Sequence, residues 1–162
     1  MTSRPAAQPD RRLAFTLGGD NMIPRSCVAI ETNKFPILEG GDDEIVNENM
    51  YGKALCKYLE HNLPKAGIKV LTYFPEDWGW WLEVEDNDFN MALCIYSDPD
   101  AKHDPERYAI LPSILNEKKW SWAQFKYIDL SKNILKIMDA LEKVFKEDAE
   151  IKAVTRHDDF PY

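Results

Sequence analysis

Histidine and cysteine are scarce, with three of each in 162 residues. Cys27, Cys56 and Cys94 are odd in number, widely spaced and set among apolar neighbours. They read as three small buried hydrophobes in a reducing, cytoplasmic setting, not as a disulfide framework or a zinc site. No Cys-x-x-Cys, Cys-x-x-His or His-Glu-x-x-His spacing occurs. Gly-x-Ser-x-Gly, P-loop and Gly-x-Gly-x-x-Gly patterns are absent too, which removes the common hydrolase, nucleotide and dinucleotide signatures. Among the histidines, His61 follows Cys56 by five residues, a spacing that puts the two on different helix faces. No apolar run approaches the roughly 20 residues a membrane-spanning helix needs, so no membrane partner is expected. Bases are outnumbered, 20 Lys+Arg against 28 Asp+Glu, for a net charge of −8. A general binder of nucleic-acid phosphates needs the opposite sign.

What remains is ordinary folding material, 44% hydrophobic and 30% charged, at a length that suits one domain. Residues 1–24 read as a flexible tail. They hold Arg4, Arg11 and Arg12, but Asp10 and Asp20 spoil the acid-poor composition of a transit peptide. A single domain is expected over 25–157, with a loose C-terminal tail at 158–162.

Strands are expected at residues 27–32, 68–74, 78–84, 91–96 and 151–155. A short edge strand is expected at 108–112, because Pro112 is tolerated at a sheet edge. The alternation after Trp80 sends Trp80, Leu82 and Val84 one way and Trp81, Glu83 and Glu85 the other. Asp86-Asn87-Asp88 is the turn into the next strand. Apolar residues at three- and four-residue steps predict a helix from about Glu44 to Leu63. A second stripe, from Ile134 to Phe145, predicts another helix, capped by Asp129 or Ser131. Asp139–Lys143 and Glu142–Lys146 fall at helical spacing on its polar side. Residues 118–127 suit either a strand or an irregular aromatic segment. The order predicts an α+β two-layer sandwich, a mainly antiparallel sheet of five or six strands with two helices on one face. A ferredoxin-like or split βαβ arrangement is the nearest named topology.

The run from Glu76 to Val84, Glu-Asp-Trp-Gly-Trp-Trp-Leu-Glu-Val, with the apolar strand after it and the helix ending near Val154, resembles a group of small uncharacterised bacterial proteins. The resemblance spans roughly residues 26–157. It implies a fold and no catalytic residue.

Four places carry candidate chemistry. On the aromatic hairpin, Trp78, Trp81, Glu83, Glu85, Asp86 and Asp88 have the composition of an interface hot spot if their face is wet. Asp98, Asp100, His103, Asp104 and Glu106 offer oxygen and imidazole ligands to a divalent cation, without EF-hand spacing. A plain solvated acidic loop fits them as well. Glu76 and Asp77, beside three tryptophans, could act as an acid–base pair, or Asp77 could simply bond its own turn. Lys118, Lys119, Trp120, Trp122, Phe125, Lys126 and Tyr127 mix bases with aromatics.

Charge is not spread evenly. Residues 76–106 hold ten acids against one lysine, a balance of −9. The expectation is therefore a non-enzymatic protein-binding module, a small cytoplasmic regulator, inhibitor or immunity-type protein whose partner presents a basic surface. The alternatives are an enzyme or metal-binding protein using the carboxylates of 76–106, or an acidic nucleic-acid mimic. No cofactor is expected, a divalent cation on the 98–106 loop being the alternative.

Overall fold

The structure, a computed structural model, describes residues 25–36, 51–98, 106–113, 120–121, 126–127 and 130–161. Six strands form one sheet: β1 (Cys27–Thr32), β2 (Lys69–Glu76), β3 (Gly79–Asp86), β4 (Phe89–Ser97), β5 (Arg107–Ser113) and β8 (Ile151–His157). Trp120–Ser121 (β6) and Lys126–Tyr127 (β7) make a separate two-stranded ribbon. The described residues also form two α-helices, α1 (Lys53–Asn62) and α2 (Ser131–Lys146). A 3-10 turn, Leu63–Ala66, extends α1, and Gly67 closes it in the left-handed conformation.

The sheet order is β2-β3-β4-β5-β1-β8, and every neighbouring pair is antiparallel. Strands β2 to β5 run as a meander. The first strand then inserts between β5 and the last strand. This is an α+β sandwich with both helices on one face. It departs from the four-strand ferredoxin-like order, because a four-stranded meander stands where that pattern has a hairpin.

Strand alternation decides which side chains meet the helices. One rung runs Pro75, Trp80, Ile95, Ile110 and Val28, each opposite the next. It packs with Leu55, Cys56 and Leu59 of α1 and with Ile134, Ile137, Met138 and Leu141 of α2. Each such aliphatic side chain, fully buried, contributes about 1.5–3 kcal/mol. The neighbouring rung, Phe74, Trp81, Cys94 and Leu111, points to the other face, which is helix-free among the described residues.

Several expectations change. The helix predicted from Glu44 begins, among the described residues, at Lys53; residues 37–50 lie outside them. Gly52 precedes the helix and does not interrupt it. A Cβ there would lie 2.7 Å from Trp80 Cδ1, so the missing side chain lets the indole seat against the helix start. Strand β5 is not an edge strand, since it sits between β4 and β1. Pro112 is tolerated because β1 pairs only with Arg107–Ile110 of β5, leaving the proline beyond that ladder. The residue at the N-cap of α2 is Leu130, with no side-chain cap. Asp139 reaches Arg156 and not Lys143, whereas Glu142–Lys146 pairs as expected, at 2.5 Å. Toward the C-terminal end, Asp158 accepts the Arg25 N–H at 2.7 Å and Phe160 packs on Tyr96.

Two ion clusters fasten the layers. Arg156 of β8 reaches Asp139 and Glu142 of α2 at 2.8 and 2.9 Å. Lys34, just after β1, bridges Asp148 and Glu150 at 2.7 and 2.6 Å.

Candidate functional site

The helix-free face of the meander carries the site. Its centre is a row of five rings running from β2 to the C-terminal segment. Phe74 stacks on Trp81 with centroids 6.4 Å apart. Trp78 meets Trp81 edge-on at 6.4 Å and Tyr96 at 5.0 Å. Phe160 meets Tyr96 edge-on at 5.1 Å. These separations fall within the range in which aromatic pairs attract.

Local sequence builds the row. The two-residue turn Asn87–Asp88, with Asn87 left-handed at φ 54°, sets the hairpin register and puts Trp81 opposite Cys94. Glycine is required at 79: a Cβ there would lie 2.2 Å from the Ile95 carbonyl oxygen. This close approach joins β3 to β4 while Trp78, one residue earlier, lays its ring on Tyr96.

Exposure grades along the row. Tyr96 is buried at 6%, Trp78 and Trp81 are half-buried, and Phe74 is exposed at 39%. Leu71, also on β2, is exposed to the same extent. The wet end therefore lies at strand β2, the edge of the six-stranded order.

Carboxylates flank the rings. Trp81 Nε1 donates to Glu83 Oε1 at 3.0 Å, which holds the indole flat along its own strand. Glu83 stands opposite Thr72, an exposed small residue. Glu85 stands opposite Lys69, with their charges 3.5 Å apart. Glu76 ends β2 opposite Gly79. Asp77 and Asp88 are exposed in the turns.

Asp86 is placed differently. It shares the inward phase of Trp80, Leu82 and Val84 and is 6% exposed. Lys136 of α2 reaches it at 2.6 and 2.8 Å, so this carboxylate ties the hairpin to the helix layer and does not join the outer surface.

Of the proposed metal residues, Asp98 and Glu106 are described. Asp98 is nearly buried and accepts from Arg107 Nε at 2.9 Å, with a second, shorter bond from Nη2. The Asp98 N–H also donates to the Arg107 carbonyl at 3.0 Å, so this pair clamps the base of the 98–106 excursion. Glu106 is exposed, and its carbonyl accepts the Thr32 N–H. Asp100, His103 and Asp104 lie outside the described residues. Among the described residues no three His, Cys, Asp or Glu side chains converge as a metal site.

The remaining candidates do not form a catalytic group among the described residues. Cys56 is fully buried while His61 is exposed at the end of α1. His157 pairs with Thr155 at 2.9 Å on the last strand. All three cysteines are free thiols. Burial pushes Cys27 and Cys94 up to about 12, and it pushes Cys56 higher still. None is a ready nucleophile. Lys118, Lys119, Trp122 and Phe125 lie outside the described residues, and the backbone at 120–121 and 126–127 forms the small ribbon.

Phe74, Tyr96 and Phe160 join the site without being marked in the sequence pattern. Phe74 and Tyr96 were legible in principle, because cross-strand register follows from the hairpin turns. Phe160 had no such signal.

Compared with family models, curated proteins and solved structures, the chain matches none of them. Among the described residues, no helix is long and apolar enough to cross a membrane.

Proposed function

We propose that this chain is a non-enzymatic protein-binding module, a small cytoplasmic regulator or inhibitor that docks a basic partner surface. One observation carries the reading. Trp81 is half-buried, stacked on Phe74, met edge-on by Trp78, and hydrogen-bonded to Glu83. A rigid indole of that kind loses little freedom on docking, and tryptophan is enriched among interface hot spots. Within residues 76–106, Glu85, Asp86 and Asp98 pair with Lys69, Lys136 and Arg107, and the acidic excess that remains supplies a field that speeds encounter with a cationic surface. Free, deeply buried thiols agree with a reducing compartment.

The test is a pull-down from cells with wild type, Trp81→Ala and Glu83→Lys, with circular dichroism to confirm the fold. A partner that carries a basic surface, is lost with both variants and dissociates as salt rises supports the reading. Retention of every captured partner by both variants refutes it.

A further inference from the structure

Strand β2 is the outermost strand of the meander among the described residues. It spans eight residues and ends the six-stranded order. Its outer surface includes Leu71 and Phe74, each 39% exposed. Proteins usually guard such an edge. Here the guards stand at the two ends: a bulge between Val70 and Thr72, and Pro75, which has no N–H to donate. Residues 72–74 lie between them.

We propose that β2 docks an extended, arginine-bearing segment of a partner protein as a seventh strand, with basic residues at every second position. This rests on the binding reading above and specifies its geometry. On the helix-free face, Thr72, Phe74 and Glu76 follow at two-residue steps, about 7 Å apart along the strand. A strand added about 4.8 Å beyond β2 presents side chains in the same phase. The one in line with Phe74 lies over the Phe74–Trp81 stack, where a guanidinium gains a cation–π contact. The one in line with Thr72 crosses a short side chain and meets Glu83 on the next strand. The one in line with Glu76 meets that carboxylate, whose own neighbour Gly79 has no side chain to block it.

Charge selects the occupant. A second copy of this chain would set one acidic hairpin against another, whereas alternating arginines complement Glu76 and Glu83. The opposite face of the added strand makes no such demand, so alternate residues carry the specificity and the main chain carries the register.

The test uses fluorescein-labelled eight-residue peptides, matched to β2 in length, in anisotropy titrations at low salt. The parent alternates Arg and Thr. A second has the same composition in two blocks. Two more are the parent N-methylated on either alternate set of amides. In a strand, one set faces β2 and the other faces solvent. The expected result is binding of the parent, with slowed amide exchange at residues 71–74. Binding should be about tenfold weaker for the block peptide and for only one of the methylated pair. The two methylated peptides binding alike, or the block peptide matching the parent, overturns strand addition. If such binding is still lost in Trp81→Ala and Glu83→Gln, the broader reading stands without it. No binding of any peptide overturns strand addition, while the broader reading stands or falls by the pull-down.

Discussion

Arg156 tests how α2 is held on the sheet. Its side chain is 3% exposed, with Nη1 2.8 Å from Asp139 and 2.9 Å from Glu142. Its Nε also donates to the Arg25 carbonyl at 2.6 Å. Asp139 is 70% exposed, so solvent screens that arm to about 0–1 kcal/mol. Glu142 is only 16% exposed, and that arm governs the loss. Removing one partner of a buried pair costs about 3–5 kcal/mol. Lys146 stays 2.5 Å from Glu142 and offsets part of it. Arg156→Met, which keeps an apolar stem in place, should therefore cost about 2–3 kcal/mol. Urea unfolding followed by tryptophan fluorescence reads this as a lower midpoint at unchanged slope. Adding Glu142→Gln should recover much of the loss, because no carboxylate is then stranded. Acid gives a second reading. Burial raises the Glu142 carboxyl, but hydrogen bonds from Lys146 and Arg156 outweigh it and hold the group below the usual carboxylate range. A carboxyl lowered on folding contributes stability above that range and loses it as pH falls through the lowered value. The gap between wild type and Arg156→Met should hold at neutral pH and close in acid. A cost under about 1 kcal/mol, or a gap that persists once Glu142 is protonated, would refute the argument.

Three further outcomes are expected. Gly79→Ala drives a Cβ into the Ile95 carbonyl and should cost at least about 1–3 kcal/mol; an unchanged urea midpoint would show that β3 does not need the close approach. Lys136→Ala should destabilise more than Asp86→Ala, because it strands a carboxylate that is 6% exposed, while the reverse change leaves an ammonium that is already 59% exposed. Equal losses in thermal or urea melts would contradict that asymmetry. Cys27, Cys56 and Cys94 should resist iodoacetamide in the native protein at neutral pH and react in urea; fast stoichiometric native labelling would mean the burial is wrong.

Much of the site's strand pattern was legible because β3 is written in period two. Trp80, Leu82 and Val84 face the helices and Trp81, Glu83 and Glu85 face away, as the alternation requires. That same alternation carries Asp86 inward, so its burial could have been read. What compensates this inward carboxylate is not local, since Lys136 arrives from fifty residues downstream. The edge role expected for residues 108–112 failed for a related reason: the cost of Pro112 depends on where β1 stops, which is not a local property. The start of α1 was misjudged because helical spacing is blind to Trp80 pressing on Gly52. The Phe160 end of the ring row depends on a tertiary contact with Tyr96 that no periodicity encodes.

The place of β1 between β5 and β8 sets an order of assembly. The meander from β2 to β5 joins strands that are neighbours in the chain, and its loops close at small entropic cost. Strand β1 is made first but has nothing to pair with until β5 exists, and its other side stays open until β8 is complete. Until β5 emerges, Val28 and Ile30, both buried in the finished fold, thus sit on an unpaired strand. We expect pulse-labelled exchange during refolding to protect β3 and β4 before β1. Protection of β1 first would overturn that order. Chains interrupted before Ile151 would keep one side of β1 open, a template for aggregation that the finished protein conceals.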